Sequence, residues 1–147
     1  MAHNPVEILT SGYAILDSLM ANHGFRPEAI VSGESSGGDF ARGGFINGER
    51  KIELHFRWSL GLVTYHIGSL SLVHEAYMRS MLGQNGGNRY PCFSDDPLEA
   101  FRGLAHDIET YADAFLQGNA VEFARRVEAV KKRESLSGFE RLVESEG

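Results

Sequence analysis

From Lys51 to Trp58 apolar and polar residues alternate without a break, Ile52, Leu54, Phe56 and Trp58 against Lys51, Glu53, His55 and Arg57. Successive side chains of an extended chain point to opposite faces, so this run predicts a strand with one buried and one wetted face. Around it the period stays near two, and breaks rich in Gly, Ser and Asn divide the stretch into four runs near 28–34, 39–46, 50–58 and 62–68. Asn47-Gly48 is a hairpin signal, because both residues tolerate the positive φ of a tight turn. Ser35-Ser36-Gly37-Gly38 permits a turn between the first two runs without fixing their pairing. For the last hairpin, hydrophobic matching pairs Trp58 with Val63, Phe56 with Tyr65 and Leu54 with Ile67, leaves 59–62 as the loop, and sets His55 opposite His66. A slip by one residue would bury His66 and turn Tyr65 outward.

Helical spacing takes over on either side. Asn4, Pro5 and Glu7 form a start signal, and Gly24 with Phe25 folding back on Met20 forms a stop, which predicts a helix to about His23. Its two apolar stripes, Val6-Leu9-Tyr13-Leu16-Met20 and Ile8-Ile15-Leu19, call for cover by a sheet and by another helix. Ser71 is placed to cap a helix over 72–82 that ends at Gly83, with Leu72, Val73, Ala76, Tyr77 and Ser80 inward. A loop from Gln84 to Ser94 follows, in which Tyr90-Pro91-Cys92-Phe93 reads as an aromatic lid folded onto the core. Asp96-Pro97-Leu98-Glu99 is a capping box opening a helix to Gln117, with Phe101, Leu104, Ala105, Ile108, Ala112 and Phe115 on one side. Asn119 with Glu122 opens another helix to about Arg133, and Ser137 with Glu140 a short last one carrying Phe139, Leu142 and Val143. The expected fold is a single α+β domain over 1–147: an N-terminal helix, a short antiparallel sheet of about four strands, then three or four helices packed mainly on one sheet face.

Composition narrows the setting. The chain has 147 residues, 42% hydrophobic and 23% charged, within the range of one domain with an adequate core. No apolar run is long enough for a bilayer, Met1-Ala2-His3-Asn4-Pro5 lacks the features of a secretory leader, and the lone Cys92 offers no internal disulfide, so a cytoplasmic location is expected. A net charge of −6 spread along the chain argues against nucleic acid, whose binders present a basic patch. The one basic cluster, Arg125-Arg126 with Lys131-Lys132-Arg133, is expected to be neutralised by a neighbouring helix carrying Glu99, Asp107, Glu109 and Asp113.

Six histidines raise the question of a metal. His3 and His23 fall at helix ends and His106 opposite an apolar stripe, which makes solvated side chains of all three. His74-Glu75 begins like the zinc-protease sequence, but Met78 stands where its second histidine is required. The remaining group is the outer sheet face, with Glu53, His55, Arg57, Thr64 and His66, where cross-strand Cβ atoms lie about 5 Å apart. No nucleophile elbow, phosphate loop or dinucleotide fingerprint occurs, Cys92 has nothing beside it to activate it, and helix capping accounts for Asp95-Asp96. No cofactor is implied. The expected function is binding of another protein, as in toxin-neutralising immunity proteins, with no nucleic-acid or membrane partner. The alternatives are a metal-binding domain or enzyme built on His55 and His66, and a secretion chaperone, which the lack of clear strands after residue 70 disfavours.

Overall fold

The computed structural model describes residues 4–35, 38–83, 86–92 and 94–146, the side chains of Ser35 and of 135–146 excepted. The chain runs α1 (Pro5–Asn22), β1 (Arg26–Pro27), β2 (Val31–Ser35), β3 (Gly38–Asn47), β4 (Arg50–Phe56), β5 (Leu60–Ile67), β6 (Leu70–Val73), α2 (His74–Leu82), α3 (Glu99–Tyr111), α4 (Asp113–Leu116) and α5 (Ala120–Glu146). It is an α+β fold whose antiparallel sheet has six strands instead of about four. The additional strands have two and four residues, too few for a period to show. β3, β4, β5 and β6 follow one another across the sheet, while β1 and β2 share the free edge of β3 as one interrupted strand, Arg26 opposite Ile46 and Val31 opposite Arg42.

The first helix begins and ends where its signals lie. The Asn4 side chain accepts from the N–H of Val6 and of Glu7, and the Phe25 and Gly24 N–H groups donate to Met20 and Ala21, the double bond of a Schellman ending with Gly24 at φ +84°. Leu9, Leu16, Met20 and Phe25 are buried. Between them Gly12 makes room for α3: a Cβ there would stand 2.3 Å from the Phe101 ring. The pattern has an omission at this point, since Gly12 breaks the apolar stripe in order to let two helices touch.

Two hairpins turn at the same end of the sheet. Asn47 pairs with Arg50 around Gly48-Glu49, and Ile67 with Leu70 around Gly68-Ser69; glycine at the first central position, with φ +61° and +60°, matches the twist of the strands. Gly68 N–H donates to the Glu49 carbonyl at 3.0 Å, tying the turns together. The second turn folds Leu70–Val73 back onto β5 as β6, so Ser71 lies in a strand opposite His66 and does not cap a helix. α2 starts later, at His74.

The β4–β5 register differs from hydrophobic matching by four residues. Leu54 lies opposite Val63, Ile52 opposite Tyr65 and Arg50 opposite Ile67, with an irregularity that sets Phe56 opposite Leu60. Because Val63, Tyr65 and Ile67 place apolar groups at every second position, sliding by four keeps Ile52 and Leu54 on a covered face, and the irregularity brings Leu60 inward opposite Phe56. The consequence falls on Trp58, which leaves the strand and is 73% exposed instead of buried, while Ile52, Leu54 and Phe56 are fully inward.

The inward face of the sheet meets the helices through ring contacts: Tyr13 of α1 on Phe45, Phe101 of α3 on Phe56, and Tyr77 of α2 with Phe115 of α4 on Tyr65. The helix expected from Pro97 to Gln117 breaks at Ala112 into α3 and α4, and α5 continues to Glu146 where two helices were expected; the side chains of Phe139, Leu142 and Val143 lie outside the described residues. Among the described residues the basic cluster finds its carboxylate partners within α5 and not on α3. Arg102 pairs with Asp96 and Glu99, and Arg125 and Arg126 with Glu122, while Asp107 is fully buried and takes no part.

Gly12→Ala is expected to destabilise the fold by about 1–3 kcal/mol through overpacking, against a gain of about 1 kcal/mol in helix propensity. Phe101→Ala costs about 3–5 kcal/mol alone. Because both substitutions act on one contact, the double variant should be less destabilised than the sum, as measured by urea unfolding of all four members of the cycle.

Candidate functional site

The outward residues of β3, β4 and β5 alternate with the core residues, so their positions follow from the strand period. Between the interrupted edge strand and β5 they surround a trough of about 380 Å³, lined by Glu28, Ala29, Val31, Arg42, Gly43, Lys51, Glu53, Leu54, His55, Leu62 and Thr64. Glu28 is placed here by the excursion between β1 and β2: its N–H donates to the Gly44 carbonyl, and its own carbonyl accepts from the Tyr13 hydroxyl at 3.0 Å. That hydroxyl in turn accepts from Gly44 N–H at 2.6 Å, and a side chain at Gly43 would collide with it. Burial, partly offset by the Gly44 hydrogen bond, raises the Tyr13 pKa, so the hydroxyl stays protonated and serves both strands.

Of the residues expected on this face, Glu53, His55 and Thr64 line the trough, whereas Arg57 and His66 do not. His55 lies opposite Arg42 and stacks on the Phe40 ring at 5.4 Å; the Arg57 guanidinium stands 6.0 Å from the same ring. His66 lies between Lys51 and Ser71, with Nε2 3.3 Å from a Glu53 oxygen. The pairing of His55 with His66 therefore does not form. The four-residue shift separates them by roughly 13 Å along the strands, and among the described residues no three His, Cys, Asp or Glu side chains are grouped to hold a metal ion.

A second polar group, deep in the core, escaped the pattern. His74 and Asp107 are 1% and 0% exposed. Asp107 accepts from His74 Nε2 at 3.0 Å, from the N–H of Arg89 and Tyr90 at 2.7 and 2.8 Å, and has His106 Nδ1 at 3.2 Å; His74 Nδ1 lies 2.6 Å from the Tyr65 hydroxyl. Burial pushes the Asp107 carboxyl up, but the hydrogen bonds from His74, Arg89, Tyr90 and His106 together outweigh it, and its pKa falls below the usual carboxylate range. Burial, with Tyr77, Asp107 and Tyr90 nearby, holds the Tyr65 phenol well above its ordinary value. The tautomer that satisfies both partners carries its proton on Nε2 and accepts the Tyr65 proton at Nδ1. The order Asp–His–hydroxyl is that of a hydrolase, yet the hydroxyl belongs to a phenol kept protonated and fully buried, so the group braces the core and offers no nucleophile.

Tyr90 belongs to the same brace. It is buried, its hydroxyl donates to the carbonyls of Leu60 and Gly61, and burial pushes its pKa up to about 12. The aromatic lid is thus real for Tyr90; Phe93 is outside the described residues, and Cys92 is exposed. Among the described residues no helix is long and apolar enough to cross a membrane. Comparison with protein-family models, with curated proteins and with solved structures gives no match for the chain.

Asp107→Ala is expected to cost about 3–5 kcal/mol, since it strands the buried donors that converge on the carboxylate. The pH dependence has a definite sign. With a folded pKa below the unfolded value of about 3.9, the carboxylate's contribution is complete above that value and is lost as pH falls through the folded one. Urea unfolding between about pH 2 and 7 should show an acid limb below pH 4 in the native chain that is smaller in Asp107→Asn; limbs of equal depth would count against this assignment.

Proposed function

We propose that the chain is a binding protein that holds another protein against the outward face of its sheet. The trough carries this reading. It lies across three strands on a face whose side chains, Arg42, Lys51, Glu53, His55, Leu62 and Thr64, remain half-buried or exposed, while α1, α2, α3 and α4 meet the opposite one. Val31 and Leu62, on its lining, are 50% and 63% exposed, and Trp58 stands at the end of the sheet where the β2–β3 hairpin meets the β4–β5 connection. Exposed aromatic and aliphatic groups beside a set of opposite charges are the composition of a protein interface, in which tryptophan is a frequent anchor. Mixed charge on such a face favours selection of one partner over others.

The enzyme alternative finds less support, because the residue order that most resembles a catalytic one is sealed in the core. The metal alternative loses its premise with the separation of His55 from His66.

The test is site-specific photo-crosslinking in the native host, with the reactive group at Leu62 or, as a control, at Glu128 on α5. Discrete adducts from Leu62 that disappear in a Trp58→Ala background are the expected outcome. Adducts from Glu128 alone would refute the placement of the partner.

A further inference from the structure

Within the trough the charges are unequally matched. Lys51 Nζ lies 3.0 Å from Glu28 and 3.9 Å from Glu53, and Glu53 has His66 on its other side at 3.3 Å. Both acids are therefore engaged. Arg42, exposed on the same lining, has no carboxylate partner among the described residues. His55 faces it directly across the β3–β4 ladder, its ring held by stacking on Phe40. Val31 pairs with Arg42 from the other side, and Leu62 completes an apolar flank.

A guanidinium is a planar fork of N–H donors that fits a carboxylate in two parallel hydrogen bonds, and an imidazole across the ladder can add a further donor. A volume of about 380 Å³ is at the small end of ligand sites and admits a chain terminus or one or two side chains. The exposed Leu62 and Val31 favour an aliphatic group next to the anion. Resting on the binding role proposed above, we infer that Arg42 and His55 form the receptor for a carboxylate of the partner polypeptide, with its aliphatic neighbour seated against Val31 and Leu62. The other cation of the lining is already held between two acids, which leaves Arg42 as the group that decides the sign of the ligand.

The probe is a tetrapeptide of three alanines ending in leucine, with a free C-terminal carboxylate, titrated into the isotopically labelled full chain while backbone amide resonances of Arg42, His55 and Leu62 are followed. The amidated peptide and hexanoate are titrated in parallel, and Arg42→Gln and Leu62→Ser are compared with the native chain. Saturable shifts confined to the trough are expected for the free peptide. Amidation and Arg42→Gln should each weaken it roughly tenfold or more, the loss expected for charge-assisted hydrogen bonds, and Leu62→Ser should weaken it less. Arg42 is exposed, so a dispersed spectrum of Arg42→Gln will show that the fold is intact. Equal affinity for the amidated peptide, unchanged affinity in Arg42→Gln, or no saturable shift would overturn the carboxylate receptor. Tighter binding of hexanoate than of the peptide would overturn its assignment to a polypeptide. Crosslinks from Leu62 are independent of all these outcomes: their presence with a failed titration removes the carboxylate receptor and leaves the binding face, and their absence removes the face itself.

Discussion

A carboxylate buried without partners is among the costliest groups a core can hold, so the fold around Asp107 has to bring its donors together or fail. Those donors come from separate parts of the chain: His74 at the start of α2, the Arg89 and Tyr90 amides in the connection to α3, and His106 beside it on α3. The constraint reaches the sheet by two routes. His74 meets the Tyr65 hydroxyl on β5, and Tyr90, fixed by its amide, bonds the carbonyls of Leu60 and Gly61. The first residues of β5 are thereby held from the core side where their pairing with β4 becomes irregular, and Leu62 and Thr64, a few residues on, line the trough. The outer face has its shape partly because of a hydrogen-bonded carboxylate on the inner one.

Much of the architecture could be read from residue order. Alternation over 51–56 separates the buried from the wetted face, and the caps at Asn4 and Gly24 mark the ends of α1, because both signals depend on neighbours a few residues apart. The β4–β5 register was not legible, since a strand apolar at every inward position has no preferred slide. The exposure of Trp58 is hidden for a different reason: its hydrophobicity continues the alternation past Phe56, whereas the strand ends there.

The candidate site was half legible. Glu53, His55 and Thr64 follow from their face, but Glu28 and Arg42 belong to the first two runs, whose pairing with each other the Ser35-Ser36-Gly37-Gly38 break does not fix. The burial of Asp107 and His74 is not legible, because polar residues are ordinarily assigned to solvent. Spacing did hold a sign of each. Asp107 lies three residues after Leu104 and beside Ile108, and His74 three before Tyr77, which puts both on apolar sides of their helices. A charge at core spacing is an anomaly only if the donors that satisfy it are known, and here they come from residues up to 33 positions away.

Trp58 is the single tryptophan of the chain and stands in water at the end of the sheet. Its emission maximum should therefore move little on unfolding, because most of the indole is in water already. Loss of packing registers instead in the near-ultraviolet signal of the buried Tyr65 and Tyr77 rings, while a change in tryptophan emission at constant fold marks something arriving at that end of the sheet. The two aromatic signals divide the molecule along the plane of its sheet.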